Sequence, residues 1–363
     1  MNARVAPLRG IASQPARVAL LGTGTVGSAA WARLASWKDS PLADRLSLVH
    51  VANSRYAISN RNGIVADTRE LLLRNAPRAS SLEAVGDALA GPGTRMVIDA
   101  TASEAVADRH AQWLAGGIHV VTACKLGQGT SLARWRAIQF AQARGNACYG
   151  DSATVGAGLP LLRSLRELQA GGDRIHALAG ALSGSLAWLF HHYDGLRPFS
   201  TFVRAAREAG YTEPDPRDDL SGEDVRRKLL ILSRAAGYAL EADAVQVDSL
   251  VPPALAALAV DGVDTALPQL DAPLRERYAA AYKKGEKLRF IARLQAGGLA
   301  TVGLEALPAG HPLAGGAGTD NRVAIWSDRY REQPLVIQGP GAGADVTAAA
   351  LLDDALRIEL STR

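Results

Sequence analysis

Residues 17–27 read RVALLGTGTVG, a short apolar run that opens directly into three glycines. Beyond them, Val26, Ala29, Ala30, Leu34 and Trp37 recur at the i, i+3, i+4 spacing of a helix face. Strand, G-x-G-x-x-G and helix in that order form a dinucleotide-binding fingerprint. Gly22 permits the tight turn, Gly24 lets the backbone approach a pyrophosphate, and Gly27 lets helix and strand pack closely. Thr23, Thr25 and Val26 complete the loop, and the helix N-terminus offers free N–H groups to the phosphates. Alone, such a triplet is often only a glycine turn; its place between strand and helix gives it meaning.

Working outward, LSLVHVA (46–52), MVID (96–99), IHVVT (118–122) and ACYG (147–150) read as strands. Helical stretches around 104–115 and 131–144 separate the later ones. Strands alternating with helices imply βαβ units, so the expected fold is α/β, a Rossmann-type doubly wound parallel sheet. After residue 150 the rhythm changes. A loop and helix over 151–171, a strand over 174–182, and helices near 184–193, 199–209 and 222–238 suggest a second, α+β domain. Further strands are expected within 288–306 and 333–338, and a closing helix over 343–360. The expected division is 1–150 plus 339–363 for the dinucleotide domain and 151–338 for the catalytic and dimerisation domain.

The 363 residues carry 40 Lys and Arg against 36 Asp and Glu, with no long basic block, so nucleic acid is not the expected partner. No apolar run approaches the roughly 18 residues that cross a bilayer. Cys124 and Cys148 form neither a disulfide framework nor a zinc spacing, which fits a reducing cytoplasm. Residues 1–16 lack the apolar stretch of a signal peptide and read as a loose extension.

The second strand ends in Asn53, Ser54 and Arg55. An NAD-preferring site usually places a carboxylate there, so a 2′-phosphate is acceptable instead, unless Arg55 is merely a solvated loop residue. Thr101 and Lys125 follow later strands, where ligands of open parallel sheets bind, although Lys125 reads equally well as a surface lysine.

The densest chemistry lies in GYTEPDPRDDLSGEDVRRK, residues 210–228, where Glu213, Asp218, Asp219, Asp224 and Lys228 stand close together. Pro214 and Pro216 fix their own φ and keep the preceding residues extended. Asp224 and Lys228 are four apart on a helix and face the same way, beside a core stripe of Val225, Leu229 and Leu232. Plainer readings exist. Ser221 and Asp224 match a capping box, and Asp224 with Lys228 matches a surface ion pair.

GTGTVG, VVTACK, DSATVGAGLPLLRSL, GALSGSLAWLF, GYTEPDPRDDLSGEDVRRKLLIL and GPGAGADVTAAALL occur in an order that resembles the homoserine dehydrogenases from about residue 16 to the end. The likeness is to the dehydrogenase half of bifunctional aspartokinase–homoserine dehydrogenases, here without the kinase, so threonine feedback through an added regulatory domain is not expected. It implies reversible reduction of aspartate 4-semialdehyde to homoserine with NADPH or NADH, on the path to threonine and methionine. It makes Lys228 the proton donor, gives Glu213 and Asp224 to the substrate's α-ammonium, and has Asp218 and Asp219 supporting them. Lys125 matches the lysine of the family's T-x-N-K segment, and Gly210 and Gly343 join the cofactor set. Gly343 further implies that the C-terminal helix returns to the first domain. A sodium ion held by Ser152 and the carbonyls of Val155, Ala157 and Leu159 is also implied, as is a homodimer through the second domain.

Two positions depart from the pattern. Cys124 stands where the family has asparagine, and Ser152 where it often has a carboxylate. Two competing functions follow: an oxidoreductase of the same architecture acting on another amino-acid aldehyde or keto acid, and a non-catalytic dinucleotide sensor.

Overall fold

The computed structural model describes residues 14–65, 78–316 and 318–362. The expected N-terminal extension lies, up to residue 13, outside them. Contacts divide the chain into two units. The first takes residues up to Cys124, Ala137–Asp151 and those from Ala348 on; the second takes Lys125–Arg136 and Ser152–Thr347.

The first unit contains seven strands: β1 Ala16–Leu21, β2 Leu46–Ala52, β3 Tyr56–Ser59, β4 Arg78–Ala79, β5 Arg95–Asp99, β6 His119–Thr122 and β7 Tyr149–Gly150. Their order is β4-β3-β2-β1-β5-β6-β7. From β2 to β7 the neighbours are parallel, while β3 and β4 add an antiparallel edge. From Val18 on, β1 is buried on both faces between β2 and β5, which explains why Val18–Leu21 is continuously apolar rather than alternating. The chain leaves β1 for β2 on one side and returns to β5 on the other. That reversal opens a crevice between the carboxyl ends of β1 and β5, where Leu21 pairs with Asp99. Ala19, Leu21, Val49, Val97, Val120 and Ile138 centre the core.

The second unit holds β8 Ile175–Ala181, β9 Val245–Val247, β10 Glu286–Leu294, β11 Ala300–Pro308, β12 Asp320–Ser327 and β13 Leu335–Pro340. Their order is β13-β12-β8-β10-β11-β9, antiparallel except for β9 beside β11. Helices Leu161–Ala170, Gly184–His192, Phe199–Glu208 and Glu223–Ala235 pack their apolar stripes into this unit's core. Val225, Leu229 and Leu232 are buried, as their spacing predicts.

Several local expectations change. The 104–115 stretch is two short helices, Glu104–Ala107 and His110–Ala115. The 288–306 stretch is a hairpin of two strands, β10 and β11. β9 and β12 were not anticipated: β9 is three residues long, and Asp320, Asn321 and Arg322 obscure the apolar pattern that opens β12. The proline-rich loop folds inside itself, because Asp215 caps a helical turn over Pro216–Leu220 that has proline at its first position. Among the described residues no helix is long and apolar enough to cross a membrane.

Candidate functional site: a dinucleotide crevice and a paired-lysine acidic cluster

The glycine loop shows why each glycine is there. Gly22 has φ +95°, and a Cβ on it would lie 2.7 Å from the Ala100 carbonyl oxygen. A Cβ on Gly27 would lie 1.9 Å from the Gly22 carbonyl oxygen, so helix and turn are in direct contact. Gly24 differs. Its φ of −71° suits any residue, and a Cβ there would meet nothing within 4 Å. Among the described residues no atom demands glycine at 24, so the space beside it is open to a ligand.

That space is a cavity of about 550 Å³, lined by Gly22, Thr23, Gly24, Asn53, Ser54, Thr101 and their neighbours. The helix Thr25–Ser36 opens onto the loop with no side-chain cap, leaving its first N–H groups for an anion. Thr25 and Val26 form that first turn. Asn53 locks the turn after β2: its amide oxygen accepts from the Arg55 and Tyr56 N–H groups, and its NH₂ donates to the Thr23 hydroxyl. Ser54 and Arg55 are both exposed at this turn, and Ser54 lines the cavity. The glycine pattern, the cavity and the bare helix end all fit a dinucleotide.

A buried network behind this crevice was missed at the sequence level. Asp99, at the end of β5, is fully buried. Its Oδ1 accepts from the Thr101 backbone N–H and hydroxyl, and its Oδ2 from Thr122, with His110 Nε2 at 3.0 Å. His110 continues to the Tyr149 hydroxyl through Nδ1. Thr101 therefore spends its proton on Asp99 and reaches a ligand only as an acceptor. The one available signal was a carboxylate closing an otherwise apolar strand, MVID.

In the second unit the helix Glu223–Ala235 presents Lys228 with its side chain 11% exposed. The ammonium donates to the Leu182 carbonyl at 2.7 Å and meets Asp224 Oδ2 at 2.8 Å. Lys125 approaches the other oxygen, Asp224 Oδ1, at 3.4 Å. The Asp224 side chain is 46% exposed, yet enough protein surrounds it that desolvation opposes its charge; the two ammoniums prevail and pull its carboxyl down to about 2. The capping-box alternative does not hold. Gly222, at φ +78°, occupies the cap position, and Ser221 bonds to the Asp218 carbonyl and the Glu223 N–H instead.

The rest of the acidic loop divides. Asp219 joins the site, accepting from the Ser185 hydroxyl at 2.6 Å and the Glu213 N–H at 2.8 Å. Burial pushes its carboxyl up, and the charges of Asp224 and Asp218 add to the rise against those two hydrogen bonds. Glu213 is exposed, its backbone anchored by Asp219. Asp218 is exposed and bonds to Ser221 through its carbonyl, so it adds charge more than structure.

Gly210, at φ +73°, ends the helix Phe199–Glu208: its N–H bonds to the Arg207 carbonyl and that of Tyr211 to Ala206, the pattern of a left-handed helix stop. Gly343 is exposed, and its carbonyl accepts from Thr347 in the first turn of the helix Ala344–Ser361. From Ala348 that helix groups with the first unit. Among the described residues no three His, Cys, Asp or Glu side chains gather as a metal site. The backbone at the implied cation position turns through left-handed Gly156 and Ala157, at φ 74° and 48°.

The first unit thus carries the crevice of a dinucleotide-binding domain, and the second carries paired lysines on a shared carboxylate. The comparisons give the family. Residues 22–149 match the model described as homoserine dehydrogenase, NAD binding domain, and residues 160–356 match the model for homoserine dehydrogenase. The chain belongs to the homoserine dehydrogenase family. It is 40% identical over 349 residues to the bifunctional aspartokinase/homoserine dehydrogenase 2 of Escherichia coli, covering 93% of this chain but only 42% of that protein. It is 34% identical to the homoserine dehydrogenase of Schizosaccharomyces pombe, covering 95% and 96% of the two chains. A solved Candida auris structure described as a protein of unknown function superposes with a TM-score of 0.89 at 33% identity, covering 96% of this chain and 99% of the other.

Proposed function

We propose that the chain catalyses the reversible NAD(P)H-dependent reduction of L-aspartate 4-semialdehyde to L-homoserine. The observation that carries this reading is the Lys228 ammonium, held between the Leu182 carbonyl and Asp224 and 11% exposed. A bound nicotinamide supplies the hydride to the carbonyl carbon. Negative charge then builds on the carbonyl oxygen, and an ammonium fixed beside it both stabilises and protonates it. Lys228 has three N–H donors; Leu182 and Asp224 take two, leaving the third for the substrate oxygen.

Lys125 adds a second positive charge from across Asp224. Glu213, exposed and anchored through its backbone, grips the substrate's α-ammonium, with Asp219 and the charge of Asp218 behind it. Asp224 orients the lysines more than it holds substrate, since each of its oxygens already faces an ammonium. Gly22 to Gly27, Asn53, Arg55 and Thr101 hold the cofactor. Gly210 and Gly343 act on it only through the helix ends they set.

The finer parts of the proposal are these. NADPH is preferred over NADH, because β2 is followed by Asn53, Ser54 and an exposed Arg55 with no carboxylate among them, and Arg55 can meet a 2′-phosphate. A sodium ion rests on Ser152 and the carbonyls of Val155, Ala157 and Leu159. The chain works as a homodimer through its second unit, in a reducing cytoplasm, which suits a chain whose two cysteines are Cys124 and Cys148.

The test is a steady-state assay with L-homoserine and either oxidised cofactor, run on wild type and Lys228→Ala. Loss of the donor should lower turnover about a thousandfold while leaving NADPH affinity within about twofold. Wild-type turnover in the variant, or inactivity of the native chain toward L-homoserine, would sink the reading.

A further inference from the structure

Ten residues past Asp224 on the same helix, Arg234 is 3% exposed. Its guanidinium makes four hydrogen bonds, all to main-chain carbonyls: Nη1 to Gln128 at 2.6 Å, Nη2 to Thr130 and to Leu240, each at 2.8 Å, and Nε to Leu240 at 3.2 Å. Among the described residues no carboxylate shares these bonds, and the Trp135 ring centroid lies 5.9 Å from the guanidinium carbon. Burial pulls the guanidinium down to about 10, with the charge of Glu241 opposing the fall. Burying a cation on neutral acceptors is expensive, and an apolar side chain of similar volume would often serve stability as well or better. What a guanidinium uniquely provides is a planar fork that fixes several acceptors at once.

Two of the carbonyls it fixes belong to the segment that Lys125 opens. The same segment touches the helix again at Gly129, where an added Cβ would lie 3.2 Å from the Arg227 carbonyl oxygen and 2.7 Å from that of Lys125. The Gly129 N–H closes a tight turn onto the Lys125 carbonyl. Glu241 completes the attachment by accepting from the Leu132 N–H at 3.0 Å. Lys125 thus hangs from a short turn whose far end is bolted to the helix that bears Asp224 and Lys228.

We propose that Arg234 is a positioning residue that sets where the Lys125 ammonium stands against Asp224, by clamping the Gln128 and Thr130 carbonyls. The inference rests on the reading that Lys125 takes part in the reaction. It predicts an unusual separation of effects: catalysis suffers while stability does not.

The experiment is a double-mutant cycle in the full chain with Arg234→Met, Lys125→Met and the pair, reading kcat, NADPH affinity and melting temperature. Arg234→Met should lower kcat about ten- to a hundredfold, the cost of displacing a reacting group by about an ångström, with NADPH affinity unchanged. The double variant should be no slower than Lys125→Met alone, because the clamp is proposed to act through Lys125. Arg234→Lys, which keeps the charge but loses the fork, should fall between wild type and Met, and it carries the test if the Met variant does not fold. Multiplying defects in the double variant, or a lower melting temperature with wild-type kcat, would overturn the clamp. A Lys125→Met variant with normal kcat would overturn the lysine's role and the clamp with it; that failure shows in the single lysine variant alone.

Discussion

The glycine crevice and the acidic cluster solve opposite problems. Around Gly24 the protein withholds atoms: no side chain caps the helix, and a Cβ at 24 would touch nothing. Around Asp224 it crowds charged atoms together, two ammoniums on one carboxylate and a carbonyl behind. A cofactor with its own phosphates brings the charge, so its site needs room and unsatisfied N–H groups. A small substrate whose oxygen becomes charged only during reaction needs charges already fixed in place. Substitutions should therefore fail differently: by filling space in the first region, by removing a partner in the second.

The sharpest form of that contrast lies within one loop. Gly27→Ala drives a methyl into the Gly22 carbonyl and should destabilise the chain by roughly 3 kcal/mol, with loss of cofactor binding. Gly24→Ala should leave the melting temperature unchanged, yet weaken NADPH binding about tenfold or more. Thermal unfolding and fluorescence titration separate the two. If Gly24→Ala binds NADPH normally, the idea of reserved space is wrong. Smaller still, Arg55→Ala should raise the Michaelis constant for NADPH about tenfold and leave that for NADH alone, the loss of one charge-assisted contact. Equal changes for both cofactors would remove Arg55 from the 2′-phosphate.

How much of this was legible depended on distance along the chain. G-x-G-x-x-G is local, and so is the Asp224–Lys228 pair, which helix geometry alone brings together. The partnership of Lys125 with Asp224 was not legible, because it depends on how a turn after β6 meets a helix far along the sequence. Asp99 and His110 were hidden for a related reason: in sequence they resemble a strand end and a helix residue, and only the buried space between β5 and the helix beginning at His110 joins them. Ser221 misled in the other direction. Its spacing to Asp224 suited a capping box, but the left-handed Gly222 took the cap and freed Asp224 to face the lysines. Local rules identify groups; packing decides which of them meet.

The smallest expected effect tests whether the crowding around Asp224 is stabilising or merely tolerated. Its carboxyl is drawn down to about 2, below the roughly 3.9 of a free aspartate. A depressed folded-state value means stability that is present above about pH 4 and lost as pH falls toward 2. Asp219 has the opposite sign: its raised value means that ionisation costs stability as pH rises, so it is relieved on acidification. Urea midpoints followed from pH 5 to 2 should therefore lie higher for wild type than for Asp224→Asn at the upper end, and the gap should close on acidification. Nearly half of the Asp224 side chain is exposed, so solvent screening keeps the gap well below what the shift alone implies. Asp219→Asn should not reproduce the closing gap. Parallel curves for wild type and Asp224→Asn would mean that the two ammoniums gain nothing from the carboxylate in the folded chain, and the contrast with the glycine crevice would then rest on catalysis alone.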